Sequence, residues 1–91
     1  MFGKQDIIIY HELIGLRAEI VKSSDKSITN LSGKIVLETK NMLTIRTEKG
    51  LKDVAKVVAK EIKLFLPNGA VCFIRGPWLI GRPEDRVLRL K

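Results

Sequence analysis

The stretch Lys34-Ile35-Val36-Leu37-Glu38-Thr39-Lys40-Asn41-Met42-Leu43-Thr44-Ile45-Arg46-Thr47 decides the fold. Two apolar runs rich in β-branched residues, 34–38 and 43–47, flank a polar turn at Lys40-Asn41 short enough for an antiparallel hairpin. In the second run Leu43, Ile45 and Thr47 share one face, and Thr44, Arg46 and Glu48 share the other. That period of two belongs to a strand with one face buried.

The same period extends outward from the hairpin. Upstream, Leu16, Ala18 and Ile20 alternate with Arg17, Glu19 and Val21, and residues 22–33 form a polar, turn-rich segment ending at Ser32-Gly33. Downstream, Val54, Val57 and Val58 are interleaved with Lys52, Lys56 and Lys60. A helix is conceivable there, but three valines and the preceding Gly50 disfavour it. The sequence predicts a strand near 53–58, a bend near Lys60 and a further strand at 62–66. Leu66-Pro67-Asn68-Gly69-Ala70 is the strongest turn signal in the chain and joins that strand to Val71–Arg75. Gly76-Pro77 turns the chain again before Trp78-Leu79-Ile80. At the ends, residues 5–14 suit a short helix with Asp6 as N-cap and Gly15 as its stop. Arg82-Pro83-Glu84-Asp85 reads as a helix start, with proline and two acids in the first turn.

This pattern predicts a mainly β fold: a small antiparallel β-barrel of five to six strands with short N- and C-terminal helical segments. A chain of 91 residues is one domain. Residues 1–14 form an N-terminal segment, 16–80 the barrel and 82–91 a C-terminal segment.

The formal net charge is +7. Residues 1–38 hold five bases and five acids, whereas residues 39–91 hold twelve bases and five acids, so the whole excess lies in the second part. Such a field attracts polyanions, nucleic acid first among them. No apolar run approaches the roughly 20 residues that span a bilayer. With no signal-peptide pattern either, the chain reads as a soluble, cytoplasmic protein with no membrane partner. Cys72, the one cysteine, sits in the apolar run Ala70–Ile74 and reads as a buried small hydrophobe.

Catalytic and metal motifs fail for want of residues. His11-Glu12 begins like a zinc-protease motif, but Gly15 stands where a second histidine belongs, and the chain has no other histidine. No Gly-x-Ser-x-Gly and no phosphate-binding glycine loop occurs. Neither a catalytic residue nor a metal ligand is therefore expected. The candidates that remain are basic. Lys34, Arg46, Lys56, Lys60, Arg82 and Arg86 are the expected phosphate contacts, with arginine able to grip phosphate through two hydrogen bonds. Arg82 and Arg86 equally suit an ion-pair network with Glu84 and Asp85. Phe65 and Phe73 read as core and Trp78 as core or a cap on the barrel. With no clear exposed platform for stacking bases, recognition of RNA backbone and shape is expected.

Four segments stand in an order that resembles archaeal ribonuclease P protein component 1: His11-Glu12-Leu13-Ile14-Gly15-Leu16, Gly33-x-Ile35-Val36, Glu38-Thr39-x-Asn41-x-Leu43-x-Ile45 and Gly81-Arg82-Pro83-Glu84-Asp85-Arg86. The likeness runs from Tyr10 to Arg86, with Gly81–Arg86 its most specific part. The chain departs from the family at Ala59, where proline is frequent. The resemblance implies an Sm-like barrel and a non-catalytic subunit of ribonuclease P, in which RNA, with Mg²⁺, removes the 5′ leader of precursor tRNA. It implies that the protein binds and orders that RNA, meets precursor tRNA indirectly and binds no cofactor of its own. It further implies a heterodimer with the particle's zinc-ribbon subunit through the N-terminal segment, where Ile7, Ile8, Tyr10, Glu12 and Leu13 are the candidate contacts. The competing readings are a generic Sm-like or ribosome-associated RNA binder, and a protein-interaction module whose charge serves only solubility.

Overall fold

The computed structural model describes residues 13–81. Within them the period-two runs become six strands: β1 (Arg17–Ser23), β2 (Ser32–Glu38), β3 (Met42–Thr47), β4 (Gly50–Ala55), β5 (Ala59–Phe65) and β6 (Val71–Ile74). They form one antiparallel sheet in the order β4-β3-β2-β1-β5-β6.

The order itself forces curvature. In a flat sheet β4 and β5 would stand four strand spacings apart, roughly 19 Å. The chain from Ala55 to Ala59 reaches at most about 14 Å. The sheet must therefore roll until the end of β4 meets the start of β5, and the result is the small Sm-like barrel. Its inner face carries Ala18, Ile20, Ile35, Leu43, Ile45, Val54, Ile62, Leu64, Cys72 and Ile74, all buried. Leu13, Leu16, Ile28 and Leu79 add to this core from outside the strands.

The turn-rich segment 22–33 and the turn expected at Gly76-Pro77 each contain one 3-10 turn. Lys26–Ile28 carries Ile28 into the core, and Asp25 caps it by accepting from the Ser27 hydroxyl at 2.7 Å and the Ser27 amide at 2.9 Å. Those bonds hold the Asp25 carboxyl below its ordinary pKa, the hydroxyl contributing most. Gly76–Leu79 begins with Gly76-Pro77 and buries Leu79. The bend expected near Lys60 falls instead at residues 56–58, and β4 starts earlier than expected. Thr47 pairs with Gly50, closing a two-residue hairpin at Glu48-Lys49 in which Gly50 takes φ 111°. The N-terminal helix expected over 5–14 lies outside the described residues except for Leu13 and Ile14, which enter a turn closed by the Leu16 amide on Leu13 O at 3.1 Å. The C-terminal segment 82–91 also lies outside them.

Gly33 marks the tightest point of the roll. It faces inward on β2, and a Cβ there would overlap the backbone carbonyl of Arg46 on β3. Backbone cannot step aside as a side chain can. Gly33→Ala should therefore cost about 2 kcal/mol or more and lower Tm by on the order of ten degrees, measured by thermal denaturation. An unchanged Tm would mean that β2 and β3 are not held this closely.

Candidate nucleic-acid interface

Strand register assembles a basic row that the linear sequence scatters. Arg17 on β1 pairs with Lys34 on β2, and Lys34 pairs with Arg46 on β3. Directly paired residues project from the same face of a sheet, so three cations stand side by side across about 10 Å. All three are exposed. The row continues through Phe65 to Val71 on one side and to Leu51 on the other. Like charges placed directly opposite destabilise a sheet, and among the described residues no carboxylate lies within ion-pair distance of these three. A polyanion relieves that repulsion.

Arg17 and Arg46 also line a groove of about 620 Å³, together with Lys49 and Lys52 from the β3–β4 hairpin. Ser27, Thr29, Ser32 and Thr47 line it as well, and among the described residues Glu48 is the only acid that does. Cations in a concave polar setting focus the field on an incoming phosphate.

The expected phosphate contacts divide. Lys34 and Arg46 belong to the row; Arg17, their neighbour, was missed. Lys56 is corrected: its side chain is wholly buried and serves the fold. Its ammonium donates to Glu38 Oε2 and Thr39 O, each at 2.7 Å, and to Leu79 O at 2.9 Å. Lys40 O and Gly81 O lie at 3.2 and 3.3 Å. An ammonium so enclosed has no face for a phosphate. Lys60 is exposed at the other end of the barrel, lining a separate cleft with Lys22, Glu61, Arg75, Pro77 and Trp78. Arg82 and Arg86 lie outside the described residues.

Other expectations change too. Phe65 and Phe73 are not core. Both project outward from β5 and β6, Phe73 with 54% of its surface exposed, and the Lys63 ammonium stands 5.1 Å from the Phe65 ring centre and 6.0 Å from that of Phe73. Leu13, expected to face a partner, is fully buried in the core; Ile7, Ile8, Tyr10 and Glu12 lie outside the described residues. Cys72 is buried as expected, and desolvation pushes its thiol pKa up. Among the described residues no three His, Cys, Asp or Glu side chains group as metal ligands, and no helix is long and apolar enough to cross a membrane.

The fold and this face define a class: a small Sm-like barrel with an in-register basic row on its outer surface. Comparison with known proteins narrows it. The family model described as "Ribonuclease P/MRP, subunit p29" matches residues 6–89, and the chain belongs to that family. Ribonuclease P protein component 1 of Staphylothermus marinus is 41% identical over 80 residues, covering 88% of this chain and 87% of that protein. The Methanocaldococcus jannaschii protein of the same name is 44% identical over 82 residues, covering 88% and 83%. The solved structure of Mth11, described as a homologue of the human RNase P protein Rpp29, superposes with a TM-score of 0.60 at 37% identity, covering 85% of this chain and 99% of that one.

Two substitutions separate the structural lysine from the row. Lys56→Met takes the ammonium away from the buried Glu38 carboxylate and from the carbonyl oxygens it serves, and should cost about 3 kcal/mol or more, read as a large fall in Tm. Arg46→Ala should leave Tm nearly unchanged, weaken RNA binding and reduce the slope of log affinity against log salt by about one. A stable Lys56→Met protein with weakened RNA binding would reverse the two assignments.

Proposed function

We propose that this chain is the non-catalytic barrel subunit of ribonuclease P, which binds and orders the catalytic RNA that removes the 5′ leader from precursor tRNA. The reading is carried by the likeness over residues 6–89 to subunits of that enzyme. The basic row supports it physically. Three cations spaced by the sheet suit successive phosphates of a folded strand, and phosphate contacts position RNA without reading its sequence. Cleavage belongs to the RNA, and Mg²⁺ is held there.

The protein's part is electrostatic. RNA helices that must pack closely repel one another, and a rigid basic face lowers that repulsion where mobile Mg²⁺ otherwise must. We place the protein in the cytoplasm, in a heterodimer with the zinc-ribbon subunit of the same particle. The N-terminal residues Ile7, Ile8, Tyr10 and Glu12 are the contacts expected from the family resemblance, and the zinc belongs to the partner.

The test is precursor-tRNA cleavage by the cognate ribonuclease P RNA at limiting Mg²⁺, with this protein and the zinc-ribbon subunit added singly and together. Cleavage at the mature 5′ end should appear, or the Mg²⁺ requirement fall, when both are present. A pair that neither binds the RNA nor alters its cleavage would refute the assignment.

A further inference from the structure

The cleft at the opposite end of the barrel from the basic row has its own construction. β1 ends there, β5 begins there and the chain leaves β6 there. The cleft is about 370 Å³ and is lined by Lys22, Lys60, Glu61, Arg75, Pro77 and Trp78. Among the described residues three cations thus share the cleft with one carboxylate, and Glu61 is the residue paired with Lys22 across the β1–β5 ladder. Among the described residues Lys60 donates one long bond, 3.2 Å, to Val57 O. Trp78 keeps 38% of its surface exposed although Leu79 beside it is fully buried. Arg75 lies with its guanidinium carbon 5.7 Å from the Trp78 ring centre.

Each part has a natural counterpart in one nucleotide. With the Arg75 guanidinium over the indole ring, the pair presents a flat cation and a part-exposed flat π-system together, the two kinds of surface on which unpaired bases stack. The arginine–tryptophan pair is formed already, so the platform is in place before a base arrives. Lys22 and Lys60 line the same cleft and supply cations for the phosphate of that nucleotide. The volume is at the small end for a ligand pocket, which suits a single nucleotide rather than a helix. An acidic protein segment would use the cations but has no need of the exposed indole.

We infer that this cleft captures one unpaired nucleotide of the bound RNA, with its base stacked on Trp78 beside Arg75 and its phosphate held by Lys22 and Lys60. The site lies about five residues along β1 from Arg17, roughly 17 Å, so it anchors the RNA at a second point beyond the basic row. The inference rests on the RNA-binding reading above and adds a base contact to what was a backbone interface.

Trp78 is the only tryptophan, so tryptophan emission reports on this cleft alone. The full-length protein is titrated with a labelled single-stranded RNA of about a dozen nucleotides, and with a strand of the same length carrying abasic sugars. Anisotropy follows total binding, and tryptophan emission follows the cleft. The base-bearing strand should quench Trp78 with the same midpoint as the anisotropy change, and the abasic strand should bind without quenching. Trp78→Leu should weaken binding of the base-bearing strand about tenfold and leave the abasic strand and the salt slope unchanged. Trp78→Phe, which keeps a π-face, should restore much of the loss. Thermal denaturation checks each variant's folding, and the wild-type emission titration stands whatever the variants do. RNA binding with unaltered emission, or equal quenching by both strands, would overturn the nucleotide site while leaving the RNA-binding reading intact. Quenching by an acidic peptide but not by RNA would assign the cleft to a protein. No anisotropy change with either strand would remove both readings together.

Discussion

The Lys56 ammonium is the fixed point of this molecule. It lies at the corner between β4 and β5, the short link that forces the sheet to roll, and it is fully buried. Its bonds reach the end of β2 at Glu38, the β2–β3 turn at Thr39 and Lys40, and the chain beyond β6 at Leu79 and Gly81. Taking an ammonium and a carboxylate out of water costs several kcal/mol per ion. Here three short bonds match the ammonium's three protons, and the charge joins segments 16 to 25 residues away from it. The reward is geometric. Carbonyl oxygens that a rolled sheet would leave facing inward obtain a donor, and the link between β4 and β5 is held in place. Gly76 belongs to the same corner, since a Cβ there would overlap the carbonyls of Lys56 and Ala59.

With the corner fixed, strand register arranges the outer surface. Arg17, Lys34 and Arg46 come from three strands and 30 residues of sequence, yet the ladder sets them in one line. Their mutual repulsion opposes folding, and the apolar inner face beneath them offsets it. A loop carrying the same charges would spread them apart; the sheet cannot. A stiff scaffold thus keeps cations at a spacing they would not choose, which is the state in which an RNA backbone gains most from meeting them.

Much of this was legible in the sequence. The β2–β3 hairpin and the Pro67-Asn68-Gly69 turn were plain because one face of each flanking strand is buried, the first turn is short and polar, and the second sets Pro67 ahead of Gly69 at φ 88°. The start of β4 was not, because Gly50, Leu51, Lys52 and Asp53 are all exposed and so carry no period. Lys56 was misread because a lysine among valines looks like a surface residue and its partners are remote in sequence. One signal was available: Lys56 lies two residues after Val54, in phase with the buried face. The same argument applies to Phe65 and Phe73. Leu64, Cys72 and Ile74 face inward, so their alternating neighbours must face out. Arg17 was not legible because only the β1–β2 register sets it beside Lys34, and neither composition nor net charge says which side chains the ladder brings together.

The proposed division of labour has Lys56 hold the fold while the outer row and its groove meet the RNA. Acetylation of lysines in the folded protein, mapped by mass spectrometry with and without ribonuclease P RNA, tests it directly. Lys56 should resist modification in both states. Lys34, Lys49 and Lys52 should react readily in the free protein and be shielded by the RNA. Lys56 reacting freely and becoming shielded on RNA binding, with Lys34, Lys49 and Lys52 indifferent to the RNA, would contradict the account.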